Sequence, residues 1–392
     1  MKTTEEFKKC SKKEYLKECE YDIKNIGWSL GNYCPFNCKQ CYSLSVRNKG
    51  ANLTESMIDR IIEQIQKLNC KTINFGGNEP WFTNGNSESS LLPYIIKKCK
   101  SIGLDVGITT SGISLILIEK YEPSLFDSID DIDISLDSPI AEEHNRNRGA
   151  NLFETAIKAL ELCQKYKIPH SIVMCSMNWN FTIDRLKLLI GLCKKYDANI
   201  RFNFLKPVKK EHIDLIVPAK QFYDSMAYVL NNCAPIDATE PRLSLLNRDN
   251  LLKRCPCGRT SLRIHSITPE GIIPVSPCVY LHDFKVGNLL EDDIIEIINS
   301  EPFKEFRRRN YNPTEIDDCK DCKYLYECGG GCSSAAYLYN KYKNNDLDFY
   351  KKEPNCFRDL DENLKIKNIE IKSLEKNLVH MDYLCTFIGK VL

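Results

Sequence analysis

Cys34-Pro35-Phe36-Asn37-Cys38-Lys39-Gln40-Cys41-Tyr42 decides how this chain is to be read. Three thiols fall within eight residues, spaced C-x3-C-x2-C. Three thiolates can hold three corners of an iron–sulfur cube and leave the fourth iron to a ligand that is not protein. A closed structural zinc site needs a fourth Cys or His close by, and Asn37, Lys39 and Gln40 do not provide one. The stretch predicts a cluster with an open iron.

Around that stretch, the 392 residues carry 54 basic and 53 acidic side chains. The balance gives no reason to propose nucleic acid or an acidic membrane surface as a partner. Met1 to Lys9 is charged and has no apolar run of signal-peptide type, and no stretch approaches ~18 consecutive apolar residues, so no membrane span is expected. Twenty cysteines are a large excess, and eight of them lie between Cys255 and Cys356. In a cytoplasmic protein, which is the expectation, thiols stay reduced and clustered cysteines mean metal rather than disulfides.

In chain order, residues 1–24 read as a charged helical lead-in whose Cys10 and Cys19 have no assignment. A strand at 26–30 runs into the cysteine loop. Thr54 is then a plausible N-cap for a helix that buries Ile58, Ile61, Ile62, Ile65 and Leu68. Further strands are predicted at 72–75, 104–109, 132–136, 171–175 and 200–205, with helices through Tyr94 and Cys99, at 153–166 and at 182–193. Six strands alternating with helices over 25–206 imply right-handed crossovers and a parallel sheet. Six repeats fall short of the ~8 of a closed barrel, so an open, partial (β/α)6 barrel is expected, with its site at the strand ends. Residues 207–252 read as a linker holding one helix at 220–231. Residues 253–357 read as a small cysteine-rich α+β domain, and 358–392 as a charged helical tail.

This combination resembles a radical S-adenosylmethionine (SAM) enzyme with a C-terminal SPASM extension, of the kind that modifies peptides and proteins. The resemblance runs from about residue 25 to residue 356. Tyr42 directly after the third cysteine is a family habit. Gly76-Gly77-Asn78-Glu79-Pro80 is similar to the family's Gly-Gly-Glu-Pro turn, which holds the amino group of SAM, and glycine allows the backbone a close approach. Asn78 is an insertion, so either Asn78 or Glu79 meets the ammonium, with Glu79 preferred. Ser135-Leu136-Asp137 resembles the family's Ser-Leu-Asp-Gly, with Ser138 in place of glycine, and Thr110-Ser111-Gly112 stands for its Thr-Asn-Gly. His144 to Gly149 resembles His-x-x-x-Arg-Gly, which makes Arg148 a candidate for the SAM carboxylate. Asn178, after the fifth strand, is a further candidate.

The C-terminal half sets the subfamily. Cys257-x13-Gly271-x6-Cys278 precedes Cys319-x2-Cys322-x5-Cys328-x3-Cys332 and then Cys356, which is the SPASM order. The resemblance implies a SAM-binding [4Fe-4S] cluster on Cys34, Cys38 and Cys41 and two auxiliary [4Fe-4S] clusters. Cys319, Cys322, Cys328 and Cys356 would hold the distal one. Cys278 and Cys332 would join Cys255, Cys257 or both at the proximal one, and if one of that pair stays free an iron is open to a substrate thiolate. Four thiolates also suit zinc, so spacing alone leaves two zinc sites open.

The activity so implied is reductive cleavage of SAM to a 5′-deoxyadenosyl radical that takes hydrogen from a ribosomally made precursor peptide. A thioether or carbon–carbon cross-link, or backbone excision, would follow. A flavodoxin- or ferredoxin-type reductant is implied. The residues before Cys34 are too few for a fused leader-binding domain, so a separate recognition protein or direct leader binding is expected. Sulfatase-type maturases carry Asp after the cysteine matching Cys278, and Val279 here argues against that branch. The alternatives are a small-molecule dehydrogenase and, from another class, a non-catalytic iron–sulfur or zinc scaffold.

Overall fold

A computed structural model describes residues 21–43, 50–246, 255–356 and 377–392 of the chain. Most of the lead-in, with Cys10 and Cys19, and residues 357–376 of the tail lie outside the described residues. Six strands follow in order: β1 (Asn25–Ser29), β2 (Thr72–Gly76), β3 (Asp105–Thr110), β4 (Asp131–Ser135), β5 (His170–Ser176) and β6 (Asn199–Phe204). Each pairs in parallel with the next. The helices between them are α1 (Glu55–Gln66), α2 (Leu92–Ser101), α3 (Ile113–Tyr121), α4 (Ala141–Arg148), α5 (Phe153–Tyr166) and α6 (Ile183–Tyr196). Thr54 caps α1 by accepting the Met57 N–H at 3.3 Å, and Ile58, Ile61, Ile62 and Ile65 are buried as their spacing predicts. α3 and α4 were not legible as helices. α3 is apolar nearly all round, and α4 has almost no apolar residue to mark a face.

Most of the strands alternate polar and apolar residues, which places polar groups on the inner face. Ile132 and Ile134 of β4 point to the helices. Asp131 and Asp133 point inward, where Arg201 of β6 pairs with Asp133 across the interior. Asn74 and Thr109 meet there too, at 3.2 Å. A purely structural parallel sheet would read as continuous Val, Ile and Leu. This one has a polar lumen.

Among the described residues the sheet has ten strands and is not closed, in the order β7 (Cys233–Ala238), β10 (Thr386–Val391), β6, β5, β4, β3, β2, β1, β8 (Ser261–Ile264) and β9 (Val275–Ser276). β8 (Ser261–Ile264) runs parallel to β1, with β9 (Val275–Ser276) antiparallel outside it, so the cysteine-rich half is built directly onto the barrel edge. Two expectations need correction. Residues 207–246 are not a loose linker: α7 (Ala219–Asn232) packs on α6 and leads into β7 (Cys233–Ala238). Pro235 hid β7, because proline rarely sits in a strand; here the strand lies at the sheet edge, where it is tolerated.

Nor is the tail helical at its end. β10 (Thr386–Val391) inserts antiparallel between β6 and β7. The segment just before it fills the lumen. His380 is fully buried, and its Nδ1 lies 2.8 Å from Asp131 Oδ2 and its Nε2 2.7 Å from Asn74 Oδ1. Two inward strand positions must be glycine for this to fit: a Cβ on Gly27 would sit 2.0 Å from the Tyr383 hydroxyl, and one on Gly107 2.9 Å from the His380 ring. Among the described residues no helix is long and apolar enough to cross a membrane.

Candidate active site

The cysteine loop leaves β1 and is tied down on several sides. His212 Nε2 donates to the Lys39 carbonyl at 2.9 Å, and Lys39 N donates to the Asn147 carbonyl at 3.0 Å. Gln40 Nε2 donates to Asp137 at 2.6 Å, and His282 Nε2 donates to the Tyr42 carbonyl at 2.7 Å. The Tyr42 ring packs edge-on against Tyr280 at 5.2 Å. Cys34, Cys38 and Cys41 are free thiols on the wall of one cavity that opens to solvent. Burial pushes the Cys34 thiol up, and the Glu79 carboxylate adds to that. Burial also raises Cys38, with Arg148 pulling the other way.

Because all six strands are parallel, their C-terminal ends meet at this cavity. Gly76, Gly77, Asn78 and Glu79 after β2, Ser111 after β3, Ser135 on β4 and Arg148 of α4 all line it, as does Tyr42. Their roles within it differ from one another. Glu79 has both oxygens occupied: Oε2 accepts from Thr110 Oγ1 at 2.6 Å and Ser114 Oγ at 2.9 Å, and Oε1 accepts from Ser111 N at 2.7 Å. Asn78 donates through Nδ2 to the Gly31 carbonyl at 2.8 Å, while its buried Oδ1 has no partner. Ser111 Oγ is likewise buried and unpartnered. Asn78 Oδ1 is thus a second acceptor open to the ammonium, beside Glu79, whose Oε1 takes a single hydrogen bond and which also lines the cavity.

Asp137 and Asn178 are not among the lining residues. Asp137 is fully buried behind the wall and accepts from Gln40, from Asn147 Nδ2 at 2.9 Å and from Cys175 N at 3.2 Å. It also pairs with Arg148 Nε at 2.7 Å. This holds Arg148 beside Cys38, whose sulfur is 3.9 Å from the guanidinium. Asn178 is turned away, donating to the Asp214 carbonyl at 2.7 Å. The buried asparagine here is Asn180, which donates to the Asp137 carbonyl at 2.7 Å.

The cavity also holds residues that no motif announced: Cys175, Arg201, Lys206, Arg263, Tyr280 and Tyr383. Arg263, from β8, reaches back to Ser29 Oγ at 2.8 Å and contacts the Tyr383 hydroxyl. Lys206 begins a buried ionic chain. It pairs with Glu240 at 3.2 Å, Glu240 with Arg242 at 2.8 Å, and Glu353 accepts from Cys332 N at 3.0 Å. Arg242 and Lys206 hold the Glu240 carboxyl at about 2 although burial alone would raise it. These contacts join segments far apart in sequence, and local pattern carries no trace of them.

The later cysteines separate into two groups. Cys319, Cys322, Cys328 and Cys356 line a second cavity of about 430 Å³. Burial raises Cys319 to about 11. Cys255, Cys257, Cys278 and Cys332 are buried together in a different cluster, which Cys385, just before β10, joins. Among the described residues no three Cys, His, Asp or Glu side chains converge as a single metal ion requires. Cys319, Cys322, Cys328 and Cys356 instead surround space, as the separated corners of an iron–sulfur cube need.

Residues 28–182 match the radical SAM superfamily, and residues 255–323 match SPASM, an iron–sulfur cluster-binding domain. The chain is a radical SAM enzyme with a C-terminal SPASM domain. The mycofactocin maturase MftC of Mycolicibacterium smegmatis is 25% identical over 327 residues, which cover 80% of this chain and 79% of the relative. The radical SAM cyclopropyl synthase TigE of Paramaledivibacter caminithermalis is 24% identical, covering 87% and 77%. Among solved structures, anSMEcpe with bound AdoMet superposes with a TM-score of 0.63 at 17% identity, covering 84% of this chain and 93% of that one. SuiB of Streptococcus suis bound to S-adenosylmethionine gives 0.63 at 14% identity, covering 88% and 80%.

The first domain implies SAM and an iron–sulfur cluster, and the second implies further iron–sulfur clusters. The residues fit these groups. Two thiol-lined cavities are present, and the larger one carries orphaned acceptors at Asn78 and Ser111 where a polar ligand would satisfy them.

Proposed function

We propose that this enzyme matures a ribosomally made precursor peptide at the cavity above the strand ends. One observation carries the reading. A single cavity that opens to solvent is lined both by the Cys34–Cys38–Cys41 loop and by SPASM residues Arg263 and Tyr280, so a peptide side chain entering it reaches the loop where SAM would sit. The relatives named mycofactocin maturase MftC and radical SAM cyclopropyl synthase TigE support it, since they align through both domains. So does SuiB, which has been solved with precursor peptide SuiA bound. Val279 follows Cys278 and is buried, so the sulfatase-type branch has no carboxylate at that position.

In this reading Cys34, Cys38 and Cys41 hold one [4Fe-4S] cluster. Cys319, Cys322, Cys328 and Cys356 hold a distal auxiliary one, and Cys278, Cys332 and the Cys255–Cys257 pair a proximal one. What bound SAM and its cluster supply is a carbon radical able to take hydrogen from an unactivated carbon. The chain's own residues orient and shield. Asn78 Oδ1 accepts from the SAM ammonium, and Ser111 and Ser135 offer hydroxyls. Arg148, fixed by Asp137, sets positive charge beside Cys38 and so favours its thiolate form. Tyr42, Tyr280 and Tyr383 wall the cavity with apolar rings and so limit water. The core is assigned to residues 25–206 and the auxiliary-cluster domain to 253–357. A flavodoxin or ferredoxin delivers the electron, and leader recognition is direct or through a separate protein.

The test is anaerobic purification, dithionite reduction and chromatography for 5′-deoxyadenosine, together with mass spectrometry of a short peptide encoded beside the gene and co-expressed with it. Cleavage of SAM that Cys38→Ala abolishes, with a mass change on the peptide, is expected. A Cys38→Ala protein with full activity refutes the assignment.

A further inference from the structure

Five buried thiols meet where the SPASM order and the upstream Cys255 account for four. Cys385 is 5% exposed and packs in one buried cluster with Cys255, Cys257, Cys278 and Cys332, with the Cys255 and Cys332 thiols beside it. Cys255 in turn contacts Cys257, and Cys257 contacts Cys278. The contacts form an unbroken run, Cys278–Cys257–Cys255–Cys385–Cys332, drawn from four separate segments of the chain.

The position of Cys385 is firmly set. On one side the Tyr383 carbonyl accepts from Ser261 Oγ at 2.9 Å and the Leu384 carbonyl from Thr239 Oγ1 at 2.5 Å. On the other side, β10 is paired from Thr386 onward with β6. A small cavity beside the thiols is lined by Cys257 and Cys278 together with Tyr383 and Leu384, so the C-terminal segment forms part of its wall. Cys99, Cys163 and Cys193 show what a packing cysteine looks like in this protein. Each lies on a helix in the main hydrophobic core, as a small apolar side chain does.

We propose that Cys385 is a ligand of the proximal auxiliary cluster. With Cys278, Cys332 and one thiol of Cys255-Pro256-Cys257, it places a protein thiolate on every corner. The inference rests on the reading of the proximal site as an iron–sulfur site. It removes one expectation drawn from sequence, that a single binding thiol from the Cys255–Cys257 pair leaves an iron open to a substrate thiolate. With Cys385 present, one thiol of that pair suffices to close the cluster, and the other is spare. It also makes the last strand of the barrel a tether of the SPASM site, so loading this cluster fastens the lumen segment that carries His380.

The experiment uses the full chain, reconstituted anaerobically, with Cys34, Cys38 and Cys41 all changed to Ala so that only the later clusters contribute. Iron, acid-labile sulfide and the EPR spectra of the oxidised and the dithionite-reduced protein are compared for Cys255→Ala, for Cys255→Ala with Cys385→Ala, and for Cys193→Ala, a buried thiol remote from the site. Cys255→Ala alone keeps its iron, because Cys257 and Cys385 still close the cluster. With the spare thiol gone, adding Cys385→Ala is expected to lose up to about half of the iron and sulfide, or to show the signal of a three-iron cluster in the oxidised state. Cys193→Ala keeps both. The same iron and spectra in Cys255→Ala with and without Cys385→Ala overturn the proposal.

A second measurement on the wild type does not depend on how the variant folds. Iodoacetamide labelling read by mass spectrometry should leave Cys385 protected while iron is bound, and chelation should release it together with Cys278 and Cys332. Labelling of Cys385 while iron remains bound, or protection that survives chelation as at Cys193, overturns it. If the triple-alanine background binds no iron at all, the iron–sulfur reading of the SPASM half fails, and that result is distinct from the loss of one cluster.

Discussion

Asp137→Asn is nearly isosteric, so it isolates what the charge does. The carboxylate is fully buried and takes Gln40, Asn147, the Cys175 amide and the Arg148 guanidinium, the last at 2.7 Å. The amide keeps one oxygen but turns an NH2 group toward donors that cannot accept from it. The Arg148 side chain, 12% exposed, is left with the Cys38 sulfur as its nearest partner. Breaking a buried ion pair by removing one partner costs about 3–5 kcal/mol, because the remaining charge stays desolvated. With an m-value of about 3 kcal/mol per M, the urea midpoint of the apo protein should fall by about 1 M or more. The same change frees Gln40, so the cysteine loop should retain less iron while the SPASM sites keep theirs. A double-mutant cycle with Arg148→Met should give a coupling of at least about 2 kcal/mol. A midpoint shift below about 0.3 M with full iron on the loop would refute the idea that Asp137 organises the site.

Three further outcomes are expected. His380→Leu strips buried Asp131 of its ring hydrogen-bond partner inside the lumen and should destabilise by about 1–3 kcal/mol. Limited proteolysis should then cut the last residues first, and an unchanged digestion pattern would count against the lumen-filling role. Asn78→Ala should weaken SAM binding about tenfold by equilibrium dialysis, the loss of one charge-assisted hydrogen bond. Glu79→Gln should instead lower stability more than affinity, since its oxygens serve Thr110, Ser111 and Ser114; the reverse pattern would restore Glu79 as the ammonium partner. Burial holds the His144 and His282 rings neutral, each down at about 4, against ~6.5 in the unfolded chain. Below that value the unfolded chain binds protons that the fold refuses. Stability is thus whole above pH ~6.5 and falls toward pH ~4, by roughly 2–3 kcal/mol per ring at most. Apo-protein urea midpoints that are flat between pH 7.5 and 5 would contradict this.

Local pattern was enough to read all six strands and four of the helices between them, because each of these carries its own period and ends in its own turn; α3 and α4 carry none. It also grouped the cysteine loop with the Gly76–Glu79 turn, Ser111, Ser135 and Arg148, since parallel strands must bring their C-terminal ends to one edge. Asn178 failed for the opposite reason. Its position after β5 was right, but side-chain direction in a loop is set by neighbours, here the Asp214 carbonyl.

The amino-acid sequence by itself determined the parallel barrel, the cysteine loop at its mouth and the two groups of SPASM thiols, all of which depend on spacing along the chain. Only the tertiary structure decided what residues 207–246 and the C-terminal end do. β7 and β10 extend the sheet, His380 hydrogen-bonds to buried Asp131, and Cys385 arrives beside Cys255 and Cys332. The physical reason is distance in sequence. Cys385 lies some 50 residues beyond Cys332, and 130 beyond Cys255, with no spacing of its own to betray it. What brings the three sulfurs together is β10 pairing with β6 and β7, a contact of hydrogen bonds and burial that no local pattern encodes.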